Sequence, residues 1–174
     1  MVPFDTLGRR TFHTCCLIEG KTLKTKSVKI LATGLGLGFL PWAPGTAGSL
    51  LGIPLYYFIA FFPWPLYLIT AAAFACLAVC LAHSAEVLFA KKDASCIVID
   101  EVAGMLFTFF LVTPTVAHIV TGFLLFRFFD IVKFFPANWC QYHLPGGLGI
   151  VADDLVAGIY ANLTLLGLIY FFGL

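Results

Sequence analysis

Long apolar stretches, separated by short breaks that contain proline, glycine or charged residues, make up most of the chain after Ile30. Residues 30–85, 102–126 and 155–174 carry no Lys, Arg, Asp or Glu. Prolines divide these stretches because a proline ends or kinks a helix, and neighbouring glycines favour turns. The pattern predicts apolar helices over about residues 47–62, 66–90, 95–112, 116–134 and 153–172.

The predicted helix boundaries depend on individual residues. The first helix is expected to bend at Pro54, and either Asp93 or Ser95 is expected to cap the third helix. Residues 31–38 contain too many glycines for a firm helix throughout. Residues 138–149, which include three glycines, are predicted to form a polar loop before the last helix.

Short connections between consecutive helices make antiparallel neighbours the default, so the breaks are expected to alternate between two ends of a bundle. One end then holds the loop 41–49, Lys91–Lys92, residues 127–133 and Asp153–Asp154, and the other holds residues 63–65, residues 113–114 and the C-terminus. This alternation predicts an all-α fold, a compact membrane-associated bundle of about five to six helices over residues 30–174.

The composition places this bundle in lipid rather than in water. Of the 174 residues 61% are hydrophobic and 11% are charged, and the mean hydropathy is +1.00. Soluble domains carry about 25% charged residues, so too few polar side chains are present to cover a water-facing surface. Six of the ten basic residues precede Ile30. Residues 1–29 are therefore predicted to form a basic cytoplasmic tail beside anionic headgroups, as the positive-inside rule favours.

Several common classes of site are not supported by the sequence. The six cysteines include no C-x-x-C pair, which argues against a zinc site or a thioredoxin-type motif. The histidines lack metal-ligand spacing, and no basic patch after residue 30 has the character of a nucleic-acid surface. The first 29 residues contain no apolar run long enough for a cleaved signal peptide.

Two adjacent carboxylates, Asp100 and Glu101, interrupt the apolar sequence, and the next charged residue is Arg127. An ionised carboxylate taken out of water without a partner loses several kcal/mol. Inside the predicted third helix this acidic pair would have no capping role. We therefore expect the pair to meet a metal ion, another cation or a wet cavity.

Two further charged groups flank the apolar stretches. Arg127, Asp130 and Lys133 are spaced three apart on one helical ridge, where they could form an ion pair within the helix or could bind a ligand. In the second interpretation Arg127 and Lys133 hold phosphate oxygens and Asp130 holds a cation. One of Asp153 and Asp154 is expected to cap the last helix, although two acids are not needed for a cap.

Residues 44–49 form a glycine-containing start to the first apolar helix, although no G-K-[ST] follows as in a Walker loop. Free backbone N–H groups at a helix N-terminus bind anions, so Gly45, Thr46 and Ser49 are candidates for phosphate binding beside Arg127 and Lys133. Hard carboxylate oxygens suit Mg²⁺. The candidate magnesium ligands are Asp100, Glu101, Asp130, Asp153 and Asp154.

Five sequence blocks in order carry a family resemblance. They are A-T-G-L-G-L-G at 32–38, P-G-T-A-G-S-L at 44–50, I-D-E-V-A-G-M at 99–105, F-R-F-F-D-I-V-K-F-F-P at 126–136 and G-G-L-G-I-V-A-D-D-L-V-A-G at 146–158. With these blocks the chain resembles the phosphatidylglycerophosphatase A family over roughly residues 30–172.

The resemblance implies a magnesium-dependent phosphatase that removes the terminal phosphate of phosphatidylglycerophosphate to give phosphatidylglycerol. It also implies an all-helical protein of a bacterial-type inner (cytoplasmic) membrane, with its active site on the cytoplasmic side. The expected catalytic residues are Asp100, Asp130, Arg127 and Lys133. Either Asp100 or Asp130 would orient the attacking water or attack the phosphate itself, and the resemblance does not choose between these roles.

Other functions are compatible with acids in an apolar chain. A small membrane transporter or channel also uses intramembrane acids, but its charges would be expected near the middle of the bilayer. Another metal-dependent enzyme of phospholipid synthesis is a further alternative. The D-G-x-x-A-R signature of CDP-alcohol phosphotransferases and the P-S-G-H block of histidine-dependent lipid phosphatases do not occur. The sequence makes no prediction about the oligomeric state.

Overall fold

A computed structural model of the chain describes residues 23–91 and 94–174, which form seven α-helices and one short 3₁₀ turn. Residues 1–22 of the predicted tail 1–29 and the predicted cap at Asp93 lie outside these ranges. The described part contains no strand, so the prediction of an all-α bundle is confirmed, with slightly more helices than expected. The elements are α1 (Leu23–Ala32), the 3₁₀ turn (Leu37–Phe39), α2 (Pro44–Ile59), α3 (Trp64–Phe89), α4 (Ile99–Thr108), α5 (Val116–Val132), α6 (Ala137–His143) and α7 (Gly147–Phe172).

Helix α7 lies at the centre of the bundle and packs against α3, α4, α5 and α6. Helix α4 is the most buried of the helices, with α2 packed along its other side, and α1 packs on α3. The breaks alternate between the two ends, as predicted for the groups that the structure describes. One end of the bundle holds a recess lined by Trp64, Tyr67 and Thr113. The ring of His118 lies at this end too, with its Nε2 atom 3.0 Å from the main-chain oxygen of Leu174.

Helix α4 is shorter than predicted, and this changes the setting of its two acids. The predicted helix began with a cap at Asp93 or Ser95, but the observed helix follows Val98 and has no side-chain cap. The N–H of Val98 instead donates to the carbonyl oxygen of Ala32 at 2.9 Å, which holds this segment out of the helix. Asp100 and Glu101 therefore occupy the first helical turn, where the helix dipole favours negative charge, rather than the helix interior.

The segment before α7 also differs from the prediction. Residues 137–143 form helix α6 within the predicted polar loop, and α7 begins at Gly147 instead of near Asp153. Gly146 has φ 58° and ψ −146°, a conformation that is essentially restricted to glycine, and it starts α7 early. Asp153 and Asp154 consequently lie in the second turn of α7, and the prediction that one of them caps the helix is wrong.

Side chains from two neighbouring helices, α3 and α7, satisfy the carbonyl groups at the buried C-terminal end of α4. The Tyr67 hydroxyl donates to Leu106 O at 2.7 Å, and the Asn162 amide donates to the carbonyl oxygens of Thr108 and Phe110 at 2.9 and 2.7 Å. The last carbonyls of a helix have no partner within the helix, and leaving them unpaired away from water is costly. These bonds allow a ten-residue helix to end inside the bundle.

Helices α3 and α7 are long and apolar enough to cross a membrane, with mean hydropathies of 2.2 and 1.9 in their most apolar windows. Each has 26 residues, which at 1.5 Å per residue gives a length of about 39 Å. Of the residues in these windows, 33% and 28% are fully buried within the bundle, so both helices keep apolar side chains that the bundle does not fully cover. This agrees with the predicted membrane association.

Helices α4 and α7 cross at two glycines. A Cβ atom on Gly158 would collide with the carbonyl oxygen of Gly104, and a Cβ atom on Gly104 would lie 2.8 Å from the carbonyl oxygen of Asp154. Backbone atoms cannot move aside as the end of a flexible side chain can. Both positions therefore require glycine for the two helices to approach this closely.

Gly158→Ala is expected to lower the free energy of unfolding by about 1–3 kcal/mol, because the added methyl group would push two backbones apart. Thermal or denaturant unfolding of the purified protein in detergent measures this change. Gly167→Ala on the same helix is the matched control, since nothing lies within 4 Å of its Cβ position. The control is expected to be neutral or slightly stabilising. Equal behaviour of the two variants would contradict the close crossing.

Candidate active site

One polar cleft of about 320 Å³ opens at the end of the bundle where α2, α4 and α7 begin and α5 ends. Seven charged side chains line it, and all of them were candidates in the sequence. The cleft is lined by Ala43, Pro44, Gly45, Thr46, Ser95, Ile97, Asp100, Glu101, Arg127, Asp130, Lys133, Gln141, Ile150, Asp153 and Asp154. Groups far apart in the sequence thus meet in one place.

Three of the acids form a compact group. Asp100, Glu101 and Asp154 each offer a carboxylate oxygen, and these three oxygens lie within 4.8 Å of one another. Asp100 and Asp154 are buried, and the buried Oε2 atom of Glu101 has no hydrogen-bond partner. Hard oxygen donors at this spacing have the chemistry to hold a divalent cation such as Mg²⁺.

Burial and the negative charges of neighbouring acids shift the pKa of Glu101. Burial is the main cause that raises the pKa of Glu101 well above its usual range, and the neighbouring Asp100 carboxylate raises it further. Asp130 adds to this effect and Arg127 opposes it only in part. The charged form of Glu101 is therefore unfavourable in this setting unless a proton or a cation joins the group.

Arg127 is held from two sides. Its Nη1 atom lies 2.6 Å from Asp130 Oδ2 on the same helix and also donates to the Ser49 hydroxyl at 3.4 Å. The Ser49 hydroxyl in turn donates to the carbonyl oxygen of Gly45 at 2.9 Å. Ser49 is fully buried and does not line the cleft, so its position suits fixing Arg127 against α2 rather than contacting a ligand.

Lys133 forms an ion pair with Asp153 across the cleft. Burial alone would lower the pKa of Lys133, but the bond to Asp153 and the charges of Asp154 and Asp130 outweigh burial and raise it. Lys133 therefore stays positively charged. It caps α5 with φ 49°, in the left-handed region, which turns its side chain at the helix end toward the start of α7.

Gly45 and Thr46 lie in the first turn of α2, where no side chain caps the helix. A Cβ atom on Gly45 would collide with Glu101 Oε1 and would lie 3.2 and 3.3 Å from the two guanidinium nitrogens of Arg127. The absence of a side chain at this position therefore leaves room between an acid and the guanidinium. Uncapped N–H groups beside a guanidinium suit an anionic ligand.

Within the described part of the chain, the five acids of the cleft fall into two groups. Asp130 and Asp153 each form an ion pair with a basic side chain, whereas Asp100, Glu101 and Asp154 lie together as one acidic group. The sequence had grouped all five as candidate metal ligands. The geometry separates a group of three acids from two that hold Arg127 and Lys133.

Sequence reasoning missed two polar residues of the cleft, Ser95 and Gln141. Ser95 was considered only as a helix cap, and Gln141 was placed in a polar loop that is in fact helix α6. Neither residue has a charge or a spacing that distinguishes it from an ordinary surface residue. Only the fold brings them to the site.

Comparisons with known proteins find one family and several relatives that are similar to the chain. The profile of the family described as phosphatidylglycerophosphatase A matches residues 30–169. The chain is 38% identical to phosphatidylglycerophosphatase A of Escherichia coli (strain K12), covering 83% of this chain and 82% of that protein.

Two further relatives match at similar identity. The chain is 34% identical to phosphatidylglycerophosphatase A of Haemophilus influenzae, covering 82% of this chain and 89% of the relative. It is 35% identical to a Bacteroides thetaiotaomicron protein named "Putative phosphatidylinositol-3-phosphatase", covering 76% and 87%. No solved structure gives a significant match to the chain.

Glu101→Gln is expected to raise the free energy of unfolding by about 1–3 kcal/mol near pH 8 in the presence of a chelator. A carboxyl group whose pKa is raised on folding contributes stability at low pH that is lost as the pH rises through the folded pKa. The neutral amide avoids this loss and can donate to the neighbouring acids. Unfolding measured between about pH 5 and pH 8 tests this expectation.

The matched control for this measurement is Glu86→Gln, which removes a partly buried carboxylate of α3 that does not line the cleft. Its unfolding is expected to stay close to that of the unchanged protein over the whole pH range. If Glu101→Gln shows no gain near pH 8, the crowding of the three acids does not destabilise the fold.

Proposed function

We propose, since this chain belongs to the phosphatidylglycerophosphatase A family and is thus a phosphoric monoester hydrolase, that its cleft hydrolyses phosphatidylglycerophosphate with magnesium bound. The substrate follows from the family and its named relatives. The observation that carries the proposal for the site is the meeting of three buried acids with Arg127 and Lys133 in one cleft.

The cation would be held by Asp100, Glu101 and Asp154. The fit rests on the spacing of their oxygens and on the buried, unpartnered Oε2 atom of Glu101. When bound, a magnesium ion would polarise a phosphoryl oxygen and offset the charge of the three acids. Asp130 and Asp153 would act instead by keeping the two basic side chains in place.

The terminal phosphate would be bound by the basic groups of the cleft. Arg127 can contact two phosphate oxygens at once through its planar guanidinium, and Lys133 adds a single positive charge. Gly45 and Thr46 line the same cleft and lie in the uncapped first turn of α2, where N–H groups have no partner within the helix. These donors would stabilise the negative charge that spreads over the equatorial oxygens during phosphoryl transfer.

We infer that water, rather than a carboxylate, attacks the phosphorus atom. Asp130 and Asp153 are each engaged by a cation, and Asp100, Glu101 and Asp154 form the acidic group that would hold the magnesium ion. Asp100 offers this group one carboxylate oxygen and would orient the water with the other. The water oxygen forms a bond to phosphorus while the bond from phosphorus to the glycerol oxygen breaks. The attacking water gives up one proton and the glycerol oxygen takes up one as it leaves as a hydroxyl, so the protons balance.

The cleft would lie at the level of lipid headgroups. It is formed at the start of α7, one of the two helices that are long enough to cross a membrane. We place this end on the cytoplasmic side, because Lys26 and Lys29 of α1 and Lys91 at the end of α3 favour that side by the positive-inside rule. The gathering of the charges at one end disfavours the alternative of a transporter, whose acids would line a path through the bilayer.

Purified protein is expected to release phosphate from phosphatidylglycerophosphate only with magnesium present, and a chelator should abolish the reaction until magnesium is restored. Glu101→Gln and Asp100→Asn are each expected to lower kcat at least about 100-fold, because each removes a carboxylate of the acidic group. Glu86→Gln should stay within about twofold, since its carboxylate lies outside the cleft. Full activity in both cleft variants would exclude the assignment of these acids.

Hydrolysis in water enriched in heavy oxygen separates attack by water from attack by a carboxylate. Under single turnover we expect the label in the released phosphate and none in the protein, because water supplies the attacking oxygen. Mass spectrometry of the phosphate and of peptides containing Asp100 and Asp130 measures both. Label in a protein carboxylate would show that a covalent aspartyl intermediate forms.

A further inference from the structure

The proposed function leaves two polar side chains of the cleft without a role, Ser95 and Gln141. They come from the segment before α4 and from α6 respectively. The proposed function already uses all seven charged side chains of the cleft, for the cation, for the phosphate or for holding Arg127 and Lys133. The cleft volume of about 320 Å³ lies within the range of ligand pockets, so it has room for more than a phosphate group.

The fold holds Gln141 close to the start of α7. Its helix α6 packs along α7, and a Cβ atom on Gly149 would lie 2.8 Å from the carbonyl oxygen of Leu144 and 3.3 Å from that of Gln141. Glycine at position 149 therefore allows the backbone of α6 to approach α7. This contact sets the distance between Gln141 and the acids of the second turn of α7.

The uncharged lining of the cleft combines two kinds of surface. The Gln141 carboxamide can both donate and accept hydrogen bonds, and the Ser95 hydroxyl can do the same. Ile97 and Ile150, both buried, add an apolar surface to the same cleft. A short carbon chain that carries hydroxyl groups has matching features, because its C–H groups are apolar and its hydroxyls need both donors and acceptors.

We propose that Gln141, with Ser95, binds a hydroxyl group on the carbon chain that carries the phosphate. This makes Gln141 a specificity-determining residue that favours phosphorylated polyols over simple alkyl phosphates. A neutral amide suits this role because the surrounding acids would repel a further anionic group, whereas a hydroxyl carries no charge. The proposal rests on the proposed function, which places the phosphate itself at Arg127 and Lys133.

The test compares the binding of two ligands that differ only in their hydroxyl groups, glycerol phosphate and propyl phosphate. Calorimetry on the full chain in detergent, with magnesium present, measures both affinities without requiring turnover. The unchanged protein is expected to bind glycerol phosphate about tenfold more tightly, as expected where a site hydrogen-bonds a ligand hydroxyl. In Gln141→Ala this preference is expected to fall to about twofold or less.

Two further variants separate recognition from a structural role. Asn138→Ala removes a similar amide from the exposed side of the same helix and should keep the full preference. Gly149→Ala should reduce the preference while Gln141 is still present, because it displaces α6 from α7. An equal loss of affinity for both ligands in Gln141→Ala would indicate a structural role and would overturn the proposal.

The outcomes for the two proposals are distinct. If the unchanged protein binds both ligands equally, the recognition of the hydroxyl group is wrong, whatever the hydrolysis assay shows. If it prefers glycerol phosphate through Gln141 but releases no phosphate from phosphatidylglycerophosphate, the proposed substrate is wrong and the polyol subsite stands. Hydrolysis of the lipid together with a preference that depends on Gln141 supports both.

Discussion

The contact between Gly104 and Gly158 is the constraint on which the site depends. Each glycine lies one helical turn after an acid of the cleft, Asp100 on α4 and Asp154 on α7. Because residues four apart lie on the same face of a helix, the close crossing of the two backbones also brings the two carboxylates together. A wider crossing would relieve the repulsion between the acids but would separate the carboxylates of the proposed cation site. Packing at the glycines thus stabilises an arrangement of charges that is unfavourable by itself.

The buried position of α4 also requires hydrogen-bond donors for the carbonyl groups at its C-terminal end. A helix of ten residues covers only about 15 Å and ends inside an apolar bundle. Tyr67 and Asn162 donate to its last carbonyls, and the Tyr56 hydroxyl donates to the carbonyl oxygen of Val112 at 2.9 Å. The hydrogen bonds at the C-terminal end of α4 thus allow this short helix to lie where lipid or protein excludes water, while its N-terminal end places two acids in the cleft.

The sequence predicts the all-α class, the two ends of the bundle and the meeting of the charged residues, because charges in an apolar chain are few and prolines mark the turns. It does not predict the start of α4 or of α7. The bond from Val98 to Ala32 and the conformation of Gly146 decide those boundaries, and both arise from tertiary structure. For the same reason the sequence could not separate Asp130 and Asp153 from the other acids, or find Gln141.

The early start of α7 also affects the electric field of the cleft. Helices α2, α4 and α7 all begin there, and the N-terminus of a helix carries the equivalent of roughly half a positive charge. Three such ends together approach the effect of one to two cations built from the backbone alone. Side-chain substitutions cannot remove this contribution. The peptide groups therefore give the cleft a positive contribution that offsets part of the charge of its five acids, and this contribution remains even when its arginine and lysine are neutralised.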